Sequence, residues 1–340
     1  MRKRQKIAAW AAAVFAVSAM PQARGAEPVM LRQAYVAVVS NFASILLEKR
    51  ELMHHYGQSY VMQPEQFRGS PAVITALASG DLQIGHLAYS SFALAVENGK
   101  MDGLRIISGE FQDGVPGYYS DEYFVLKDSP IRTIDDLKGK VLATNGAGSA
   151  VDIGLRAMLR RHKINEQKDV TMVQAALPNM LPMLASRKVD LFANVLPFSA
   201  DPTARAATRT LFTQADAMGT TQMNLWVVQK SFIAAHRAAL VDYMEDALHV
   251  ERWYLNPANR EAALDIAVKV GKVPRSKFEA WLFSHNDYYH DPDGLPNLEA
   301  LQKNVDLLHQ LGFLKAKLAV RDYADLSIVK EAAQRLHQAP

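Results

Sequence analysis

Short apolar runs recur along the chain, each closed by a small polar residue and followed by a segment of helical spacing. Residues 31–39, with Ala34, Val36 and Val38 alternating, predict a strand. Ser40 and Asn41 then cap a helix predicted over 42–56, where Phe42, Ile45, Leu46, Lys49 and Met53 share a face and Gly57 ends the run. A second strand is predicted over 60–66, Pro64 notwithstanding. Ser70 and Pro71 supply an N-cap and a first-turn proline for a helix over 72–79, stopped at Gly80. A strand over 82–86, a polar joint at Tyr89-Ser90-Ser91, a helix over 92–98 and a strand over 104–108 complete this first set.

Residues 109–121 hold three glycines, Pro116 and several polar side chains, the composition of a connection. The same grammar then restarts. Strands are predicted over 123–126, 141–144, 170–174, 189–195 and 223–229. Between them lie a helical turn over 134–137 and helices over 150–162 and 180–186, and 231–336 is mostly helical. Strands alternating with helices at this spacing imply parallel sheets covered on both faces, so the fold class is α/β with two lobes and a helical C-terminal region. Ligands of open α/β sheets bind beyond the carboxyl ends of the strands. If the lobes face each other, the polar joints line a cleft.

The first 25 residues have a different pattern. Arg2, Lys3, Arg4 and Lys6 precede an uncharged apolar run over 7–20; Pro21 breaks it, and Ala23 and Gly25 offer small residues before Ala26. The run is short for a membrane span and fits a cleavable export signal over 1–25. Cleavage would remove five basic residues and turn the formal charge of +3 into about −2, so the chain lacks the basic face that nucleic-acid binding needs. There is no cysteine. That excludes a disulfide framework, a thiolate nucleophile, a thiolate metal site and a lipid tether on an N-terminal cysteine. The expectation is a monomer diffusing in a periplasm.

Asn145-Gly146-Ala147-Gly148-Ser149 is the most informative motif. A glycine-rich turn before a helix leaves N–H groups unpaired and aims the positive end of the helix dipole outward, which suits an anion. An ordinary N-cap explains the same residues. Ala88-Tyr89-Ser90-Ser91 and Ser40-Asn41-Phe42 repeat the arrangement, with capping again the alternative. No lysine follows as in a phosphate-binding loop, and Val151 replaces the third glycine of a dinucleotide fingerprint. His285 and His290 flank Asp287 near Asp291-Pro292-Asp293-Gly294, where turn chemistry accounts for the residues and no metal spacing is met. No nucleophile elbow or zinc-protease motif occurs, so neither catalytic residues nor cofactors are expected. Trp226, Trp253 and Trp281 read as core; Tyr254, Tyr288 and Tyr289 could reach a cleft, with core or surface packing the simpler role.

From Ser70-Pro71-Ala72 through Ala76-Leu77-Ala78-Ser79-Gly80-Asp81-Leu82-Gln83-Ile84-Gly85 the chain resembles solute-binding proteins of ABC importers of the nitrate, sulfonate, taurine and thiamine-pyrimidine group. Gln83 stands where that pattern often has Asp. Lys127 to Ile131 with Asp135 to Lys140, Ala185 to Asp190 followed by Pro197, and Gln310 to Phe313 extend the likeness over nearly the whole chain. It implies the type II periplasmic-binding-protein fold, with one lobe from 26–115 and 222–340 and the other from 116–221. Carried over by position, it implies ligand-binding roles for Asn41, Phe42, Tyr89, Ser90, Ser91, Gly148, Ser149, Ala150, Asn194 and Pro197. The implied solute is a small organic anion or heteroaromatic, delivered to an inner-membrane permease. Two alternatives stay open. One is a pyrimidine-forming enzyme of the same fold, although such relatives use a cysteine-rich segment. The other is an adaptor presenting its ligand to a sensor kinase.

Overall fold

A computed structural model describes residues 27–98 and 101–338. The predicted export signal lies outside them. The alternation of strands and helices is present, in three sheets. β1 (Val29–Tyr35) pairs in parallel with β2 (Tyr60–Gln66), Val29 opposite Tyr60. Gln33 bridges onward to Ile84, just before β3 (Gly85–Ala88). Pro64 is tolerated because β2 is an edge strand. Between β2 and β3 runs α1 (Ser70–Ser79), with Pro71 in its first turn and Gly80 closing it at φ 81°, a left-handed conformation glycine adopts without penalty. α2 (Tyr89–Asn98) follows β3 directly.

Four expectations need correction. The segment 42–56 is not an α-helix but two short 3-10 turns, Phe42–Ser44 and Leu46–Leu52. Carbonyls that a continuous helix would use are held from outside: the Tyr254 hydroxyl donates to Ile45 O at 2.9 Å, and the His249 ring contacts Leu52 O at 3.1 Å. The strand after α2 does not stop at 108; β4 (Leu104–Asp113) continues through Ser108, Glu110, Gln112 and Asp113, all buried. Polar residues can occupy a buried strand because each is paired, as Ser108 Oγ is to Gly294 O at 2.8 Å. An additional strand, β9 (Thr208–Thr213), escapes detection because three threonines blunt its apolar alternation at a sheet edge. The sheets are also not uniformly parallel.

The chain leaves the first group of strands after β4 and enters a five-stranded sheet of order β7-β6-β8-β5-β9. Its members are β5 (Glu122–Leu126), β6 (Val141–Thr144), β7 (Thr171–Gln174), β8 (Leu191–Asn194) and β9. β6 is parallel to β7 and β8, whereas β5 runs antiparallel to β8 and β9. α3 (Ala150–Arg161), α4 (Leu177–Ala185), α5 (Pro202–Ala207) and α6 (Gln214–Met218) complete this unit. β10 (Thr221–Gln229) then returns between β3 and β4, antiparallel to both. The strands that carry the chain between the units are thus the ones that break the parallel pattern.

The C-terminal region is helical: α7 (Lys230–Leu255), α8 (Arg260–Gly271), α9 (Leu298–Gln310) and α10 (Ser327–Gln338). α10 lies on α7 and buries Ile328, Val329 and Ala332. Trp226 and Trp281 are core as expected, while Trp253 is half-buried under the Lys49 ammonium, 4.2 Å from its ring centre. Phe124, Phe192, Met180 and Leu184 form a smaller core on one face of the five-stranded sheet. No helix among the described residues is long and apolar enough to cross a membrane.

Candidate functional site

The two units meet along the loop ends predicted to line a cleft. An inner chamber of about 100 Å³ lies between them, and a wider vestibule of about 910 Å³ adjoins it, sharing Val36, Ala37, Asn145 and Leu177. Three of the expected residues, Asn41, Ser149 and Ala150, line the chamber; Pro197, after a cis peptide, lines the vestibule. The remaining six are placed around these spaces rather than at their walls.

Asn41 acts as a clamp. Its Oδ1 accepts from the N–H groups of Val36 and Ala37 at 2.9 and 2.8 Å, while Nδ2 donates to Glu110 Oε2 at 3.4 Å. This loop also forces Val39, a β-branched residue, to φ 70°, secured by a bond from its N–H to Ser44 Oγ. Such a conformation costs on the order of 1–3 kcal/mol and persists only where surroundings dictate it. The Phe42 ring faces away from the chamber, stacked on Phe283 and edge-on to His290; its N–H donates to Glu110 Oε1 at 3.1 Å. Asn194 is buried, its Oδ1 accepting from Val195 N.

The glycine turn is occupied by the protein itself. Gly148, at φ 78°, donates its N–H to Asp152 Oδ2 at 3.0 Å. Asp152 lies in the first turn of α3, and its carboxylate also accepts from Thr144 Oγ1 and Arg156 Nε. Ser149 caps α3 by accepting from Asp152 N and donates its own hydroxyl to Asn145 Oδ1 at 2.7 Å. The carboxylate that the helix end would attract from a ligand is therefore supplied from within the chain.

Ser90 and Ser91, expected at a helix start, lie in the first turn of α2 and reach across to the opposite unit. Both hydroxyls donate to Gly148 O, at 3.0 and 3.1 Å. Tyr89 is fully buried behind them; burial holds its phenol well above the ordinary value, and its hydroxyl makes no aligned hydrogen bond although Gln214 lies beside it. The two serine bonds latch one unit to the other. Each is worth about 1 kcal/mol, so the Ser90→Ala, Ser91→Ala double variant is expected to favour the open form by roughly tenfold or more. Small-angle scattering should show a larger radius of gyration; an unchanged radius would refute the latch.

The chamber includes residues to which the sequence reading gave no binding role. His86, within β3, places Nδ1 2.5 Å from Glu110 Oε2, off the axis of a hydrogen bond. Tyr288, for which packing was the simpler expectation and the cleft the alternative, lines the chamber, stacked on Phe111 with centroids 4.2 Å apart. Its hydroxyl donates to Asp121 Oδ1 at 2.5 Å and accepts from Leu196 N at 3.4 Å. Asp121, also in the lining, is 2 % exposed. Burial, then the Asp113 carboxylate, pushes Asp121 well above the usual range. Asp113 is itself pushed up to about 7 by burial. Behind them, burial drops His290 to about 4, so this ring is neutral between Phe42 and Phe111. Asp121 was read as the end of a connection. Its only sequence signal was a charge directly before an apolar strand.

A family model described as NMT1-like matches residues 24–268. A search of curated protein sequences finds no match. Among solved structures, the alkanesulfonate-binding protein SsuA from Xanthomonas axonopodis pv. citri, bound to MOPS, is 20% identical with a TM-score of 0.69, over 88% of this chain and 99% of that one. The periplasmic nitrate-binding protein NrtA from Synechocystis PCC 6803 is 14% identical with a TM-score of 0.71, over 92% and 90%. The desulfurization enzyme DszB, at 15% identity, has a TM-score of 0.61 over 91% and 99%. The likeness to these structures is one of fold, shared by binding proteins and by an enzyme. The chain belongs to the NMT1-like family and has the two-lobe fold of periplasmic binding proteins.

Proposed function

We propose that this chain is the periplasmic solute-binding component of an ABC importer, capturing a small organic molecule between its lobes and presenting it to an inner-membrane permease. The observation that carries the reading is the chamber lined from both lobes, with a latch between α2 and the turn before α3 beside it. A solute touching both lobes stabilises the closed arrangement, the general logic of hinge closure. Lobe one is taken as 26–115 with 222–340 and lobe two as 116–221. The names of the sulfonate- and nitrate-binding neighbours favour an anion; stacked Phe111 and Tyr288 favour a heteroaromatic.

Thermal shift with sulfonates, carboxylates, nitrate and pyrimidines tests the reading. A true ligand at about a hundred times its Kd adds roughly 2.7 kcal/mol. Stabilisation should be accompanied by recovery of the solute unchanged. Turnover of the solute would instead favour an enzyme, the activity named for DszB on this fold. Absence of any stabilising small molecule would remove the reading.

A further inference from the structure

We infer that His86 is a solute-binding residue of the inner chamber, its Nε2–H meeting an acceptor oxygen or nitrogen of the solute while Glu110 holds the other ring nitrogen from behind. The inference rests on the cleft-binding reading and adds to it one residue and the character of the solute atom which that residue meets. Its first support is placement. Among the described residues lining the chamber there is neither lysine nor arginine, and His86 alone can carry a positive charge. No described residue hydrogen-bonds Nε2, and this atom, unlike Nδ1, is not sealed off. The cavity that the ring borders is the chamber.

The second support is the proton count on the pair. Nδ1 lies 2.5 Å from Glu110 Oε2, a separation that two facing lone pairs would not tolerate, so a proton sits between them. The two side chains are 3 % and 0 % exposed, and a net charge there is far costlier than a neutral pair. A neutral pair has two forms, imidazolium beside carboxylate or neutral imidazole beside carboxylic acid. In the first, both ring nitrogens carry hydrogen. In the second, the acid donates to Nδ1 and the ring hydrogen is on Nε2. Either way Nε2 is a donor. Phe42 N and Asn41 Nδ2 donate to the Glu110 carboxyl at 3.1 and 3.4 Å; they fix its position, but neither brings a charge. His290, against the Glu110 carbonyl, is neutral because burial drops it to about 4. Glu251 is held well above the usual carboxylate range by burial and then by Glu110, which marks this region as one that resists further negative charge.

The third support is the company the ring keeps. Ser40 Oγ is buried in the lining without a partner, and a hydroxyl can donate. The N–H groups of Ala150 and Val151, in the first turn of α3, have no acceptor within the helix. Asp121 keeps its proton, since burial and then Asp113 push it well above the usual range, so it does not repel an acceptor. A solute acceptor entering the chamber therefore meets donors from both lobes. A group carrying only N–H donors would leave them unpaired, the costlier outcome.

The test uses small probes of like shape and opposite hydrogen-bonding sense, nitrate against guanidinium and acetate against acetamidinium. Each is offered at about 10 mM, enough to occupy a site of millimolar Kd, and read by calorimetry and thermal shift on the exported chain. Nitrate or acetate is expected to bind, and neither cation. His86→Asn keeps a nitrogen near the place of Nδ1 and puts nothing at Nε2, whereas His86→Gln reaches the place of Nε2. Affinity should fall about tenfold or more in His86→Asn and largely recover in His86→Gln, an order that a role in holding Glu110 alone would reverse. Should the variants fold poorly, NMR of the labelled ring nitrogens in the parent protein gives a second reading. There His86 Nε2 should be protonated and its resonance should move when nitrate or acetate binds. An unprotonated or unmoved Nε2 would overturn the inference while leaving the cleft reading intact. So would an affinity in His86→Asn that equals the parent's or exceeds that of His86→Gln, or a cation that binds above its oxyanion counterpart. Silence from both nitrate and acetate overturns it as well, and the wider panel of solutes then decides the cleft reading on its own.

Discussion

Asp113→Asn is expected to stabilise the protein strongly at pH 8 and hardly at all near pH 4. Asp113 is fully buried at the end of β4, where Ser120 Oγ donates to it at 2.6 Å and Asp121 N at 2.7 Å. Burial raises its carboxyl to about 7, against an ordinary value of 3.8. Between these values the folded chain holds a proton that the unfolded chain has released, so stability falls as pH rises through that window. Above pH 7 both states are ionised and the loss is complete, on the order of 4 kcal/mol for a shift of this size. Asparagine can accept from Asp121 N with its oxygen and donate to Ser120 with its amide, so the geometry survives while the charge does not. Urea unfolding at pH 4.5, 6, 7 and 8 should show a flatter profile in the variant, by roughly 2–4 kcal/mol at pH 8. Some fall should persist, because burial also raises Asp287 to about 7. Parallel profiles for the two proteins would show that Asp113 is ionised at no cost.

The second large effect has a sign opposite to helix propensity. Gly154 lies inside α3, and replacing a helical glycine by alanine ordinarily stabilises by about 1 kcal/mol. Here a Cβ would stand 2.5 Å from the Tyr123 hydroxyl and 2.9 Å from Gln214 Cδ, with Gln214 Oε1 closer still. Those groups cannot yield easily. The Tyr123 hydroxyl bonds Val151 O at 2.8 Å and Gln214 Oε1 at 2.6 Å, and both side chains are fully buried. Gly154→Ala is therefore expected to destabilise by on the order of 3 kcal/mol, the range of overpacking combined with a broken buried network. Ligand affinity should fall with it, since the first turn of α3 carries Ala150 and Val151 of the chamber wall. A urea midpoint equal to or above that of the parent would refute the packing argument.

These two positions show where sequence reasoning reaches. The strand-and-helix alternation, the Gly80 stop and the start of α3 at Ala150 were legible because each rests on local chemistry. Direction was not. β5 and β10 run antiparallel to their neighbours because the chain crosses between lobes there, and nothing in their apolar pattern encodes it. The site was legible in part for the same reason. Capping residues identified the helix starts, but not that Asp152 would satisfy the glycine turn from within, nor that Ser90 and Ser91 would spend their hydroxyls on the opposite lobe. Asp121, His86 and Tyr288 come from three distant stretches and converge only on folding. Gly154 reads as a weak point of a helix until Tyr123 and Gln214 are seen behind it.

The double bond onto Gly148 O carries a kinetic consequence. A solute that enters by parting of the two units must wait for both serine hydroxyls to let go. Capture then has two stages, a spontaneous release followed by entry. In a stopped-flow experiment the observed rate would climb with concentration only until encounters outpace release, then level off at the release frequency. Loosening the latch would lift that plateau at the expense of residence time. Two hydroxyls on one carbonyl thus act as a timer, setting how quickly the protein samples its surroundings and how long it keeps what it finds.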